Sequence, residues 1–227
     1  MKSSFIKFLS LSGHEKVQFF IYFLFSYHNM VYTILNFYNK CRFRCYGVSY
    51  GEGFQSAGTI ILDIYPGSKV VLGDNVSVIS DSRRCTASAL AYPSRFKTFT
   101  PSSRIIIGNN VGLNGTSITS RSTTISIGEG TMIAPNVIIV DSDFHVPWPP
   151  EMRLYYPGTE ADGEVNIGKN CWIGINSLIL KGVAIGNNSV IAAGSVVTRN
   201  IPSDSLAAGI PAKVIKKYTN KESGDLK

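Results

Sequence analysis

The sequence repeats with a period of six residues. From Ile167 onward an aliphatic residue returns at every sixth position, at Ile173, Ile179, Ile185, Ile191 and Val197. A small or β-branched residue follows four positions after each of the first five, namely Cys171, Ser177, Val183, Ser189 and Ser195. The same phase occurs at Ile127, Ile133 and Ile139, at Ile107 and Leu113, and more loosely at Ile60, Leu72 and Val78. A repeat of this length indicates a solenoid.

Six residues match neither the 3.6-residue period of a helix nor the alternation of a long strand. Each sextet should therefore form a short strand and a bend, and three sextets should form one triangular coil. Glycines beside the aliphatic positions, such as Gly168 and Gly174, suit the bends. Stacked coils would pair their strands in parallel, about 4.8 Å apart. The sequence thus predicts an all-β solenoid, a parallel β-helix over residues 59–217, with a polar tail at 218–227.

The composition is that of a folded protein with one main domain. The chain has 227 residues, of which 16% are charged and 44% hydrophobic, with a net charge of +7. The basic charge suits an anionic ligand, a membrane surface or nucleic acid, although no nucleic-acid-binding motif is present. Four scattered cysteines and three histidines predict reduced thiols in a cytoplasmic protein and no metal site.

Residues 1–58 form an N-terminal extension that is aromatic and, after Lys16, nearly uncharged. Apolar residues between Val17 and Tyr38 fall near one helical face, which predicts a helix or a helical pair. Three interpretations remain open: a cap on the open end of the coil stack, interfacial membrane contact assisted by basic residues downstream, or a bilayer span. Polar residues at 13–16 interrupt the apolar run too early for a signal peptide.

Three stretches interrupt the period: residues 80–104, 118–126 and 146–166. Insertions in a solenoid form loops on one face, which is often the binding face. The last stretch is rich in proline and aromatic residues, including Trp148, and we interpret it as an arm that covers a site.

His145 and Asp143 break the repeat at the start of this arm. Extending the phase from Ile139 puts His145 in an inward aliphatic position and Asp143 in a small corner position. Polar groups in core positions are costly unless paired, so two violations together indicate a functional site. A structural histidine held by a neighbouring carboxylate is the alternative.

Residues 105–217 resemble the galactoside, maltose and xenobiotic O-acetyltransferase family and its bacterial polysaccharide-modifying relatives. Three stretches carry the resemblance: IGKNCWIG at 167–174, IGNNSVIAAGSVVTRNIP at 185–202 and AAGIPAKVI at 207–215. The resemblance implies a left-handed coil, an exception to the usual right-handed crossover. It also implies acetyl-CoA as co-substrate and a homotrimer with the CoA groove between subunits.

The resemblance assigns roles to individual residues. His145 falls on the catalytic histidine, which would act as general base, with Asp143 or Asp141 fixing its tautomer. Ile175 supplies the backbone N–H that would stabilise the oxyanion. The CoA site would comprise Trp172, Ala193, Thr198 and Arg199, with Lys213 and Lys216 near the phosphates. Asn114 matches the position that holds the acceptor hydroxyl, although asparagine also suits a turn.

The acceptor is the least determined part of this interpretation. The N-terminal module of the small-sugar enzymes has no counterpart here, and aromatic side chains such as Trp148 stack on sugars, so we expect a surface polysaccharide such as O-antigen or capsule. The alternatives are an N-acetyltransferase of a nucleotide-linked amino sugar, a small-sugar or xenobiotic acetyltransferase, and a non-enzymatic β-helix scaffold.

Overall fold

A computed structural model describes residues 12–219 of the chain. The beginning of the predicted N-terminal extension and most of the predicted tail at 218–227 lie outside the described residues. One long helix is followed by a stack of triangular coils with three flat faces, which we name sheets A, B and C. This is the predicted left-handed parallel β-helix.

Each coil adds one strand to each sheet. Sheet A contains β1 (Ser49–Tyr50), β4 (Lys69–Leu72), β7 (Arg104–Ile107), β10 (Thr124–Ile127), β13 (Val165–Ile167) and β16 (Ala184–Ile185). Sheet B contains β2 (Gln55–Ala57), β5 (Ser77–Ile79), β8 (Gly112–Asn114), β11 (Met132–Ile133), β14 (Trp172–Ile173), β17 (Val190–Ile191), β19 (Ser205–Gly209) and β20 (Ala212–Lys217). Sheet C contains β3 (Ile61–Asp63), β6 (Arg95–Thr98), β9 (Ser117–Ser120), β12 (Ile138–Val140), β15 (Leu178–Ile179) and β18 (Val196–Val197). Only β19 and β20 pair antiparallel among the described strands.

The aliphatic position of the repeat forms the core, as predicted. Ile127, Ile133, Ile139, Ile173 and Ile179 are all buried, and so are the small corner residues of the later coils. Burying each aliphatic side chain contributes about 1.5–3 kcal/mol, so the interior consists of aliphatic layers stacked along the axis.

The corners between sheets A and B are joined by asparagine ladders. The Asn109 side-chain oxygen accepts from the N–H of Asp74 at 2.8 Å, and the Asn187 side-chain oxygen accepts from the N–H of Lys169 at 2.8 Å. In each bond the donor is a backbone N–H at the corner of the preceding coil, which has no partner in the β-sheets. The ladders therefore tie successive coils together at this corner.

The α-helix of the described residues, α1 (Gly13–Cys45), caps the open end of the stack with its last turns. It begins at a capping box formed by Ser12 and Glu15. Near its other end the Asn39 amide donates to the Gly58 carbonyl at 2.8 Å, and Phe43 packs on Phe54. No described helix is both long and apolar enough to cross a bilayer.

The structure revises the predicted boundaries. The coil stack begins at Ser49 rather than at residue 59, because β1 and β2 already pair with the next coil. Residues 95–104 return to the coil, since β6 pairs in register with both β3 and β9. Residues 118–126 are not an insertion, because they comprise the end of β9, a three-residue corner at 121–123 and most of β10. The real excursions are residues 80–94 and 141–164.

Candidate functional site

The long excursion of residues 141–164, which we call the arm, leaves the stack at the corner between sheets C and A. It contains two short 3₁₀ turns, Pro150–Met152 and Thr159–Ala161, and no strand. Its position follows from the chain order, since β12 lies in sheet C and β13 in sheet A. The arm contains most of the insertion predicted at residues 146–166; that it covers a site stays a prediction.

Arg121 anchors both ends of the arm. Its backbone N–H donates to the Asp141 carboxylate at 2.7 Å, at the point where the arm begins. Its guanidinium binds the Asp162 carboxylate through two nitrogens, at 2.8 and 2.6 Å, and also donates to the Gly158 carbonyl at 2.8 Å. Asp162 and Arg121 have side chains only 1% and 9% exposed. A bidentate pair of this kind fixes the relative orientation of the two side chains, in addition to the attraction between their charges.

The environment of Asp162 keeps it ionised. Burial by itself would raise the pKa of its carboxyl, but hydrogen bonds from Arg121, Ser122 and Ser142 outweigh burial and hold the pKa below its usual value. The charge that binds Arg121 is therefore present at neutral pH.

His145 projects from the arm into solvent and does not occupy the predicted inward position. The chain leaves the coil after β12 and returns to it only at β13, so the extrapolated phase does not apply to residue 145. The Nδ1 of His145 lies 2.9 Å from the carbonyl oxygen of Arg153. A carbonyl can only accept, so Nδ1 carries the proton, and in the neutral imidazole Nε2 has the lone pair. The ring is therefore oriented with its basic nitrogen away from the arm.

Asp143 does not contact this imidazole. Its carboxylate forms an ion pair with the Lys181 ammonium at 2.7 Å, and its side chain is half exposed instead of filling a corner. Asp141 is buried and accepts from the backbone N–H groups of residues 121–123. The orienting contact to His145 thus comes from a backbone carbonyl rather than from either predicted aspartate, because both carboxylates bind other groups.

Phe144, which precedes the histidine, has a left-handed backbone conformation with φ = 63°. The other non-glycine residues with positive φ in residues 12–219 are asparagine or aspartate, which tolerate this region. An aromatic residue there costs about 1–2 kcal/mol, and such strain is often found at functional sites. The Phe144 ring packs on Phe99, with centroids 5.7 Å apart. Nothing in the sequence predicts this conformation, because phenylalanine is not a residue type that favours positive φ.

The outer face of sheet B carries several of the predicted CoA residues. Trp172, Val190, Leu206 and Lys216 form one cross-strand row. Trp172 is half exposed, and three strand spacings put it about 14 Å from Lys216 along the sheet. This row can support an elongated ligand that runs parallel to the stack axis.

A β-bulge brings Lys213 to the same face as Lys216. Lys216 pairs with Leu206 and Lys213 pairs with Ala208, and the register shifts between Leu206 and Ala207. In a regular strand, residues three apart point to opposite faces. The extra residue of the bulge turns both ammonium groups outward from sheet B, where they can meet phosphates.

The N–H of Ile175 has no hydrogen-bond partner within residues 12–219. Ile175 lies at the corner between sheets B and C, where its carbonyl accepts from Gly194 at 2.8 Å. In the next coil, Ala193 stacks over Ile175 and has no side-chain acceptor for this N–H. At the A–B corner, by contrast, the N–H of Lys169 donates to the side chain of the stacked asparagine, Asn187. An unpaired backbone N–H at an accessible corner is suited to binding an oxyanion.

The remaining predicted residues divide between two corners. Asn114 lies at the B–C corner, where its side-chain amide donates to the Ile133 carbonyl at 3.0 Å, as a turn residue does. Thr198 and Arg199 are exposed at the C–A corner, after β18. Trp148 is 78% exposed on the arm. No group of histidine, cysteine and acidic side chains in the described chain has the arrangement of a metal site.

Within one chain, therefore, the predicted site forms two separate sets. The first is on sheet B and the B–C corner; it comprises Asn114, Trp172, Ile175, Ala193, Lys213 and Lys216. The second is at the C–A corner; it comprises Asp143, His145, Trp148, Thr198 and Arg199. Sheet C lies between the two corners, and each coil crosses it with about six residues. At about 3.3 Å per residue, the two corners are roughly 15–20 Å apart. His145 and Ile175 of the same chain cannot act on one substrate atom.

Comparisons with known proteins agree with this architecture. The family model "Hexapeptide repeat of succinyl-transferase" matches residues 164–199. "Putative lipopolysaccharide biosynthesis O-acetyl transferase WbbJ" of Escherichia coli is 30% identical over 82% of this chain and 83% of its own length. The E. coli galactoside O-acetyltransferase is 37% identical over 55% of this chain, but the alignment covers only 59% of that enzyme.

A solved structure shows the same fold. A single-residue mutant of AntD, an N-acyltransferase from Bacillus cereus in complex with dTDP-4-amino-4,6-dideoxyglucose and coenzyme A, superposes with a TM-score of 0.58. The superposition covers 81% of this chain and 91% of that chain, at 17% sequence identity. At that identity, the likeness establishes the fold alone.

Proposed function

Since the chain belongs to the hexapeptide-repeat acetyltransferases, we propose that it transfers an acetyl group from acetyl-CoA to a sugar hydroxyl, with His145 as general base. The observation that carries this proposal is the bond from the His145 Nδ1 to the Arg153 carbonyl. That bond leaves Nε2 of the exposed ring as the nitrogen that can accept the proton of an incoming hydroxyl.

The transfer needs no covalent intermediate on the protein. The Nε2 of His145 removes the proton of the acceptor hydroxyl while its oxygen attacks the thioester carbonyl carbon. The N–H of Ile175 binds the carbonyl oxygen, which becomes an oxyanion. When the intermediate collapses, the carbon–sulfur bond breaks, and CoA leaves as a thiol after taking the proton from His145.

The separation of the two residue sets supports a homotrimer. A single chain holds the base at the C–A corner and the oxyanion donor at the B–C corner, on opposite sides of sheet C. When three copies pack around a threefold axis, the C–A corner of one subunit can face the B–C corner of the next. Each active site would then take His145 from one subunit and Ile175 from its neighbour.

The residues of sheet B fit acetyl-CoA by chemistry and by spacing. Lys213 and Lys216 offer two ammonium groups to the phosphates, and Trp172 offers an exposed aromatic face about 14 Å from Lys216. In the same trimer, Arg199 and Thr198 would reach this ligand from the subunit that supplies His145. Arg199 would add a cation for the phosphates.

For the acceptor we propose a surface polysaccharide. The arm that carries His145 also carries Trp148 and Tyr155, both strongly exposed. Aromatic faces of this kind stack on sugar rings. The similarity to WbbJ over most of both chains points in the same direction. A nucleotide-linked amino sugar, a small sugar and a xenobiotic are the competing acceptors.

The experiment that tests the proposal is acetyl-CoA turnover, followed by thiol release, with a panel of acceptors. The panel contains a lipopolysaccharide or capsular oligosaccharide, free maltose, a galactoside and a dTDP-linked amino sugar, and mass spectrometry identifies the acetylated product. We expect acetylation of the oligosaccharide and little of the free sugars, since remote sugar units help to position the reacting hydroxyl. Acetylation of the amino sugar alone would contradict the proposal, and absence of turnover with every acceptor would remove the support for an enzyme.

A further inference from the structure

Helix α1 exposes a continuous apolar segment. Six consecutive residues from Phe20 to Phe25 are apolar or aromatic, with exposed fractions between 38% and 71%. Before Asn39 no residue of the helix is buried. Contacts with the rest of the described chain begin near Tyr32, whose ring lies under Arg84, and continue at Asn36, whose side-chain oxygen accepts from the Ser56 N–H at 2.9 Å. The residues from Val17 to Met30 precede these contacts.

The apolar surface surrounds the helix. At 3.6 residues per turn, six consecutive residues complete about one and a half turns, so every side of the helix is apolar at this level. A protein partner, or the same helix of a second copy, would cover one face and leave the others in water. A helix at the boundary between headgroups and acyl chains buries one face most deeply and keeps the aromatic side chains of its flanks among the headgroups rather than in water.

The charges of the helix also suit a membrane. No residue from Val17 to Asn39 has a formal charge, whereas Glu15 and Lys16 precede this segment and Lys40 follows it. Insertion end-on would bury polar side chains such as Gln18, Asn29 and Asn36 in hydrocarbon, which is costly. A helix that lies along the surface keeps the charged groups of both ends among the headgroups.

Basic groups of the first excursion lie beside the same helix. The Arg84 guanidinium lies over the ring of Tyr32, 5.5 Å from its centroid, and Arg83 is exposed next to it. One carboxylate, Asp81, accepts from the backbone N–H of Arg83. Lys40 and Arg44 add positive charge further along the helix. Together these groups are complementary to anionic lipid phosphates.

Polar side chains within the helix are partly satisfied by the helix itself. The ring nitrogen of His28 lies 2.6 Å from the Leu24 carbonyl, and the Thr33 hydroxyl donates to the Asn29 carbonyl at 3.0 Å. Such bonds reduce the cost of moving these groups out of water.

We propose that the segment Val17–Met30 of α1 lies in the interface of one leaflet of an anionic membrane, with Arg83 and Arg84 at the lipid phosphates. The helix thereby holds the β-helix at the membrane surface. This binding does not depend on acetyl transfer and can be measured without acetyl-CoA.

The test is flotation of the full chain with vesicles of phosphatidylglycerol and phosphatidylethanolamine, compared with vesicles of phosphatidylcholine. We expect strong binding to the anionic vesicles. The double variant Phe20→Ser with Phe23→Ser should weaken it about tenfold or more, because two exposed aromatic side chains no longer insert. Arg83→Gln with Arg84→Gln should weaken it about fivefold for each arginine.

The matched control is Leu154→Ser with Tyr155→Ser, two residues of the arm that are each 83% exposed. If flotation reflects the helix, this control should bind as the wild type does, and all variants should keep the wild-type Tm. Equal loss in the control, or no flotation at all, would overturn the proposal. A fall in oligomer size of the Phe20/Phe23 variant by light scattering without lipid would instead assign the helix to a second copy.

Discussion

A hydrogen bond joins the side chain of His145 to the backbone of Arg153, eight residues further along the arm. The Nδ1 of the histidine donates to the Arg153 carbonyl at 2.9 Å, and the Arg153 guanidinium donates to the Pro147 carbonyl at 2.8 Å. The imidazole is therefore oriented by the backbone of its own loop.

We expect His145→Ala to lower acetyl transfer by about 10²–10⁴-fold, the usual contribution of a general base. The side chain is exposed, so Tm should not change. His145→Gln should be equally inactive, because an amide cannot take up the proton. The kcat with a competent acceptor checks this, and wild-type turnover in either variant would disprove the role of His145.

We expect Ile175→Pro to remove the oxyanion donor without disturbing the coil. Pro135 already occupies the equivalent corner position one coil earlier, since β11 and β14 pair Met132 with Trp172. The predicted loss in kcat is about 10²–10³-fold, typical for one oxyanion-hole donor. Ile175→Ala retains the N–H and should remain active; equal losses in the two variants would contradict this role.

We expect Lys213→Ala with Lys216→Ala to weaken acetyl-CoA binding and to leave kcat nearly unchanged at saturating acetyl-CoA, because both groups would contact phosphates rather than the reacting carbonyl. The control is Lys217→Ala, which pairs with Ser205 on the opposite face of the bulged strand. Calorimetry provides the Kd. An unchanged Kd in the double variant would exclude these lysines from the site.

We expect subunits with complementary defects to restore activity when they are co-expressed. In random trimers of His145→Ala and Ile175→Pro chains, about a quarter of the interfaces would combine an intact base with an intact donor. Each parent alone should be inactive. Light scattering confirms the trimer, and no recovery in mixed trimers would argue that each chain uses its own two residues.

We expect the ion pair between Arg121 and Asp162 to make the free energy of unfolding decrease at acidic pH. The pKa of Asp162 is held below its usual value in the folded chain, so its contribution is present at neutral pH and is lost as the pH falls through that lowered pKa. Asp162→Asn should cost about 3 kcal/mol at neutral pH, since it breaks a buried pair.

The free energy of unfolding of both proteins, measured between neutral pH and about pH 3, checks this prediction. The difference between wild type and Asp162→Asn should shrink toward the acidic end. A difference that stays constant with pH would show that the carboxylate charge makes no contribution. The variant should also lower kcat, because Asp162 helps Arg121 to hold the arm that carries His145.

The six-residue period alone determined the coil and its core. Each sextet is a local pattern that decides which side chain points inward, and every aliphatic position from Ile107 to Val197 that it identified is buried. The interruption at Asp143 and His145 likewise indicated where a functional arm begins. These inferences hold because burial in a solenoid depends on neighbours that recur at a fixed spacing.

Tertiary structure decided how the site residues are oriented and distributed. The extrapolated phase put His145 in the core, yet the chain leaves the coil after β12 and the Arg153 carbonyl orients the ring. A bulge in β20 brings Lys213 to the face of Lys216. Such features depend on a loop conformation or on strand register between distant residues, and a local repeat contains no information on either. The sequence determined which residues form the coil, and the fold placed the base and the oxyanion donor at different corners.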